Sequence, residues 1–210
     1  MEKNISCWKS EISCAARLRD AGVLEPTYYE HSIRTARYLV WLYLAAVECG
    51  LIKPMYSQET VFFAGLLHDI GKQIVPRNIL QKNGSLTQGE YRVMKRHAEF
   101  STALLMGQYN TIRRICGQSF EVDPTVSIAV SHHERMDGKG YPFKLQGEDI
   151  SPLAKMCAVA DVYDALTSDR PYHKGATQEE AARILEQCEG TQLDTQYVVL
   201  FLQKAASMPQ

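Results

Sequence analysis

Histidine and aspartate recur in this chain where apolar residues would be expected. His68 and Asp69 follow Leu66 and Leu67 at the end of an apolar stretch, and Gly71 and Lys72 come next. His132 and His133 close a second stretch (Val126, Ile128, Ala129, Val130) and lead into a segment with three glycines. Asp161 stands among Met156, Cys157, Ala158, Val159, Ala160 and Val162, where an unpaired carboxylate is strongly penalised. Asp164 falls three residues on, on the same helical face, placed to hold a ligand ring by hydrogen bond. Taken alone, His31, beside Tyr28, Thr35 and Tyr38, reads as a core or surface histidine, and His97 after Lys95 and Arg96 reads as a solvated face. Together these groups make a nitrogen and oxygen donor set without thiolate, which suits iron, manganese or zinc. Neighbouring residues of a helix point about 100° apart. His132 and His133 are therefore expected to serve two neighbouring ions, or one ion and a substrate, and the same holds for His68 and Asp69.

The elements that must carry these groups read as helices almost throughout. Apolar positions recur at helical spacing, as in Ile33, Ala36, Arg37 by its stem, Val40, Trp41 and Leu44. The spacing predicts helices over about 5–21, 28–49, 58–69, 88–107, 110–117, 124–134, 152–168, 178–188 and 193–206. Thr87 with Glu90 and Thr177 with Glu180 fit capping boxes. Val75–Ser85 and Met136–Pro152 are expected as shaped loops. The fold class expected is all-α, a single-domain helical bundle with a metal centre in its core. Residues 1–24 would add a helical extension over the core through Trp8, Ile12 and Leu18, with the domain proper over 25–210.

Composition removes several function classes. With 23 basic and 24 acidic residues the net charge is -1, so no bulk positive field exists to hold a DNA or RNA duplex. The longest apolar run, Tyr38 to Val47, is about half of the roughly 20 residues that a membrane span needs. Six scattered cysteines without a CxxC pair fit reduced thiols. No membrane association and a cytoplasmic location are expected.

The motifs resemble those of the HD-GYP family, a branch of the HD phosphohydrolase superfamily. The matching words are His68-Asp69-Ile70-Gly71-Lys72, His132-His133-Glu134 with Asp137-Gly138 and Gly140-Tyr141-Pro142, and Asp161 with Tyr163-Asp164-Ala165-Leu166-Thr167 and Arg170-Pro171-Tyr172. The similarity runs from about residue 25 to 190. It implies hydrolysis of a cyclic dinucleotide, most often cyclic di-GMP, at a centre of two or three metal ions. By position, His31, His68, Asp69 and Asp161 resemble the basic ligand set. His97, His132 and His133 resemble the set that adds a second ion, with Asp69 bridging. Asp69 and Lys72 are the expected catalytic residues, and Lys72, Tyr141, Arg170 and Lys174 the expected substrate contacts.

Two departures sharpen the expectation. Relatives with a third metal resemble one another in a glutamate four residues before the first histidine, and Thr27 stands there, so two divalent ions are expected, iron or manganese ahead of zinc, cobalt or nickel. His173 stands where a substrate-holding lysine can occur, and Lys174 is its nearest substitute. The resemblance leaves room for a receptor that binds a cyclic dinucleotide without turnover, an oxygen-using di-iron enzyme, or a hydrolase of the mixed guanine-adenine dinucleotide. A chain of 210 residues has no length for a sensor domain beside this one, so regulation through protein partners in second-messenger signalling is expected, with the oligomeric state open.

Overall fold

Thr60 to Leu66 is apolar or small at every position, so a helix built from it has no polar face to give to water and belongs inside. The computed structural model describes residues 8–169 and 174–205 and buries that segment completely. Helix α3 (Gln58–Leu66) starts at Ser57, whose hydroxyl accepts from Thr60 N, and every residue from Thr60 onward is buried. A fully buried leucine or phenylalanine such as Leu66 or Phe62 contributes about 1.5–3 kcal/mol by leaving water.

Around α3 the other helices are α1 (Lys9–Asp20), α2 (Tyr29–Glu48), α4 (Arg77–Leu80), α5 (Gln88–Gly107), α6 (Tyr109–Cys116), α7 (Val122–Ser131), α8 (Pro152–Thr167), α9 (Gln178–Cys188) and α10 (Thr195–Ala205). No strand occurs among the described residues. Helices α2 and α7 pack against both α3 and α8, and α5 packs against α7 and the turn over 70–74. Like α3, α8 is buried nearly all round, from Leu153 to Ala160. The two helices with least access to water are thus the two that deliver His68, Asp69 and Asp161.

Both expected capping boxes are present. Thr87 and Thr177 accept from Glu90 N and Glu180 N, and the two glutamates accept in return from the threonine amides. Several expectations change. The helix expected over 58–69 stops at Leu66, and that over 124–134 stops at Ser131, which puts the His-Asp and His-His pairs in turns. Residues 77–80 make a helix inside an expected loop; four residues are too few for apolar periodicity to register. Leu44 and Ile12, expected against the core, are each 37% exposed, whereas Leu39, Leu42 and Tyr43 are buried. Trp8 and Leu18 do pack inward, Trp8 with its ring 5.2 Å from that of Phe62. The five described cysteines are free thiols, and among the described residues no helix is long and apolar enough to cross a membrane.

Candidate metal centre

Five segments converge on one buried cluster. His31 comes from the first turn of α2, His68 and Asp69 from the turn after α3, His97 from the middle of α5, His132 and His133 from the end of α7, and Asp161 from α8. The approach of α5 depends on Gly71. A Cβ there would lie 1.9 Å from the carbonyl oxygen of His97, so any side chain would push α5 and its imidazole outward.

Backbone carbonyls fix three of the rings. The Nδ1 atoms of His68, His97 and His132 lie 2.7 Å from Gly65 O, 2.8 Å from Met94 O and 3.0 Å from Ile128 O. A carbonyl only accepts, so each Nδ1 carries the hydrogen and each Nε2 presents a bare lone pair. His31 is held differently, its Nδ1 2.7 Å from Asp164 Oδ2, with the Arg34 guanidinium on the other side of that carboxylate at 2.6 Å.

The donor atoms fall into two groups, each within a 4.8 Å span: His31, His68 and Asp161, and Asp69, His97, His132 and His133. Asp69 lies between them. Its Oδ2 is 3.2 Å from His68 Nε2 and 3.6 Å from His31 Nε2, while its Oδ1 is 3.4 Å from His97 Nε2 and 3.8 Å from His132 Nε2. His132 and His133 share one group, contrary to the expectation that they diverge. Helix α7 has ended at Ser131, Glu134 N already bonds back to Ser131 O, and the two rings lie side by side with centroids 4.0 Å apart.

Burial and charge set the protonation. Burial is the main cause that holds His132 well below the ordinary histidine range and takes His133 to about 3, with neighbouring imidazoles adding to it. His97 is lowered for the same first reason. Burial also disfavours charge on His31, but Asp161, Asp164 and Asp69 outweigh it and raise that ring to about 11. Asp69 and Asp161 are pushed down despite burial, Asp69 chiefly by Lys72 and His68, Asp161 chiefly by His31.

His68 Nε2, Asp69 Oδ1, His97 Nε2 and His132 Nε2 are buried without a hydrogen-bond partner among the described residues. Four orphaned acceptors aimed at one another cost of order 1–3 kcal/mol each unless a cation compensates them. Divalent metal ions fit this donor set, because one cation accepts several nitrogen and oxygen lone pairs at once.

A loop past α7 roofs one side. Glu134 is buried and accepts from Phe143 N at 2.6 Å and Leu145 N at 3.1 Å. A Cβ at Gly140 would meet Glu134 Cα at 2.5 Å, so the loop closes only with glycine there. Tyr141 stacks on His133, ring centroids 4.7 Å apart. Beside the cluster lies a pocket of about 530 Å3 that reaches His132, His133, Asp161 and Tyr141.

The structure thus gathers His31, His68, Asp69, His97, His132, His133 and Asp161. Lys72 is there too, its ammonium on Asp69 and 4.0 Å over the ring of Tyr28. Lys174 is exposed and away from the pocket lining. Arg170 and His173 lie outside the described residues. Thr27 and Glu30 are exposed. Arg34 and Glu134 went unremarked as positioning groups. Arg34 sits one helical turn from His31, and that spacing was the available signal.

A family model described as HD domain matches residues 27–197. A cyclic di-GMP phosphodiesterase of Pseudomonas aeruginosa is 41% identical over 162 residues, 77% of this chain and 36% of that protein. A 3'3'-cGAMP-specific phosphodiesterase of Vibrio cholerae is 33% identical over 192 residues, 90% of this chain and 32% of that one. The chain therefore spans about a third of the length of these relatives. Among solved structures, an HDGYP protein from Bdellovibrio bacteriovorus superposes with a TM-score of 0.61 at 21% identity, covering 93% of this chain and 58% of that one.

Proposed function

The chain belongs to the HD domain family, and from that premise we propose that it is of the HD-GYP type, a metal-dependent phosphodiesterase that hydrolyses a cyclic dinucleotide, cyclic di-GMP first, to the linear dinucleotide. The observation that carries this reading is Asp69, whose two oxygens each face one group of donors. His31, His68 and Asp161 would hold one divalent ion, and His97, His132 and His133 a second, with Asp69 common to both. Bound there, such ions supply positive charge to a phosphodiester and acidify water at neutral pH.

The protein's own groups account for the rest. Neutral rings at His97, His132 and His133 each keep a nitrogen lone pair available at physiological pH. Burial lowers Lys72, but Asp69 raises it more, so the ammonium stays charged. A lysine held in this way suits stabilisation of a phosphoryl oxygen better than release of a proton. Carbonyl and carboxylate anchors on Nδ1 fix ring directions before substrate arrives, which is where orientation gains its advantage.

The test is to load the purified protein with manganese or iron, incubate it with cyclic di-GMP and with the mixed guanine-adenine dinucleotide, and separate the products by chromatography. Linear dinucleotide from the native protein and none from Asp69→Ala is the expected result. Tight binding by metal-loaded protein without product would replace the hydrolase by a receptor.

A further inference from the structure

The pocket beside the donor cluster carries polar groups that the metal chemistry does not use, among them Arg135, Lys139 and Gln192. Gln192 lines it, together with the apolar side chains of Ala158, Val162 and Leu193 and the 48% exposed ring of Tyr91. Arg135 Nη1 donates to Gln192 Oε1 at 2.9 Å. A guanidinium has no acceptor, so this contact fixes which end of the carboxamide is oxygen. Arg135 is itself held, its Nε and Nη2 donating to the two oxygens of Asp137 at 3.0 and 2.9 Å. The Gln192 backbone is tied at both ends, its N–H to Cys188 O at 3.0 Å and its carbonyl accepting from Met136 N at 3.4 Å. What remains is an NH2 group with two hydrogens and no partner among the described residues, on the wall of a pocket that also touches His132, His133 and Asp161.

We propose that this pocket holds a purine base of the substrate and that Gln192 is a specificity-determining residue, presenting its two amide hydrogens to the base edge and so favouring guanine over adenine. The inference rests on the proposed cyclic dinucleotide reading and adds to it the base and the residue that reads it. A free glutamine reads adenine with one donor and one acceptor, but here the two lone pairs of the acceptor oxygen face Arg135 at 2.9 Å and the Cys188 thiol at 4.0 Å. Guanine offers two acceptors, O6 and N7, whereas adenine offers N7 beside an amino group that would face the Gln192 amide donor to donor. Leaving either donor unmatched in a confined site is costly. Tyr91 supplies an aromatic wall for stacking that does not distinguish the purines, and the Lys139 side chain, 80% exposed, has its ammonium 4.0 Å from Asp137 Oδ2, which leaves the discrimination to Gln192.

The experiment compares kcat/KM for cyclic di-GMP and cyclic di-AMP in the native protein, Gln192→Ala and Gln192→Glu, with metal content and unfolding midpoint measured on each. The native protein should prefer the guanine substrate roughly ten-fold or more. Gln192→Ala should bring the ratio towards one, mainly through KM. Gln192→Glu keeps the shape and the bond to Arg135 but replaces donors by an acceptor, and should turn the preference towards adenine. An unchanged ratio in both variants, with normal metal content, overturns the inference and leaves the hydrolase standing. If the native protein cleaves bis(p-nitrophenyl) phosphate but neither dinucleotide, the substrate class itself is wrong, and this assignment is overturned with it.

Discussion

The two halves of the donor cluster share Asp69 but are built on different electrostatics. His97, His132 and His133 are kept neutral by burial, and two of them are anchored on backbone carbonyls that no side-chain substitution can remove. The other half is rich in carboxylate. Asp161 and Asp164 surround His31, and Arg34 balances the second of them. Burial thus prepares one half for a cation by stripping protons, and the other by concentrating negative charge, which attracts a proton as readily as a metal. The halves should therefore differ in how they respond to substitution and to pH.

The largest effect expected is the loss of one ion at a time. His97→Ala should remove the metal of its own half and His31→Ala that of the other, each abolishing turnover while metal analysis still finds one ion per chain. Loss of both ions from either variant would break the division into halves. A smaller effect should follow from Asp164→Ala, which strips the anchor from His31 and should weaken the first ion by about 10–100-fold. Titration with manganese should find the second ion's affinity unaltered.

The pH responses should run in opposite senses in metal-free protein. His133 has a folded pKa of about 3 against an ordinary 6.5, so the stability it contributes is present above about pH 6.5 and lost as pH falls towards 3. His31 at about 11 contributes stability that is present below about 6.5 and lost as pH rises through 11. Denaturant midpoints measured from pH 4 to 10 should peak near neutrality, with His133→Gln flattening the acid limb and His31→Gln the alkaline one. At pH 7 the first ion should displace about one proton and the second none, which calorimetry in buffers of different ionisation enthalpy reads directly. The smallest expected effect lies outside both halves. Thr87→Ala removes the cap of the helix that carries His97 and should cost about 1 kcal/mol of stability without altering metal content.

The parts of this protein legible in its sequence are those governed by local rules. Helical periodicity gave the long helices because an amphipathic face repeats over many residues, and two threonine-glutamate pairs marked helix starts because a capping box closes within four residues. His68, Asp69, His132, His133 and Asp161 stood out because a carboxylate or imidazole near Leu67, Ala129 or Val159 violates the burial rule and needs a reason, whereas His31 and His97 read singly as ordinary histidines. Helix α4 was missed for want of length. The divergence expected of His132 and His133 failed because it assumed a helix that ends one residue too early.

Residue types and spacings pointed to an all-helical chain, and the resemblance of its motifs to the HD-GYP family named the seven metal-suited donors. Which donors share a group, that the oxygens of Asp69 divide between the two, and that Arg135 holds the Gln192 carboxamide at the wall of a pocket were decided only by packing. Those relations join residues up to about 130 positions apart, such as His31 and Asp164, and no local preference reaches so far. They exist because α2 and α7 pack on both buried helices, α3 and α8, and that packing brings distant segments together.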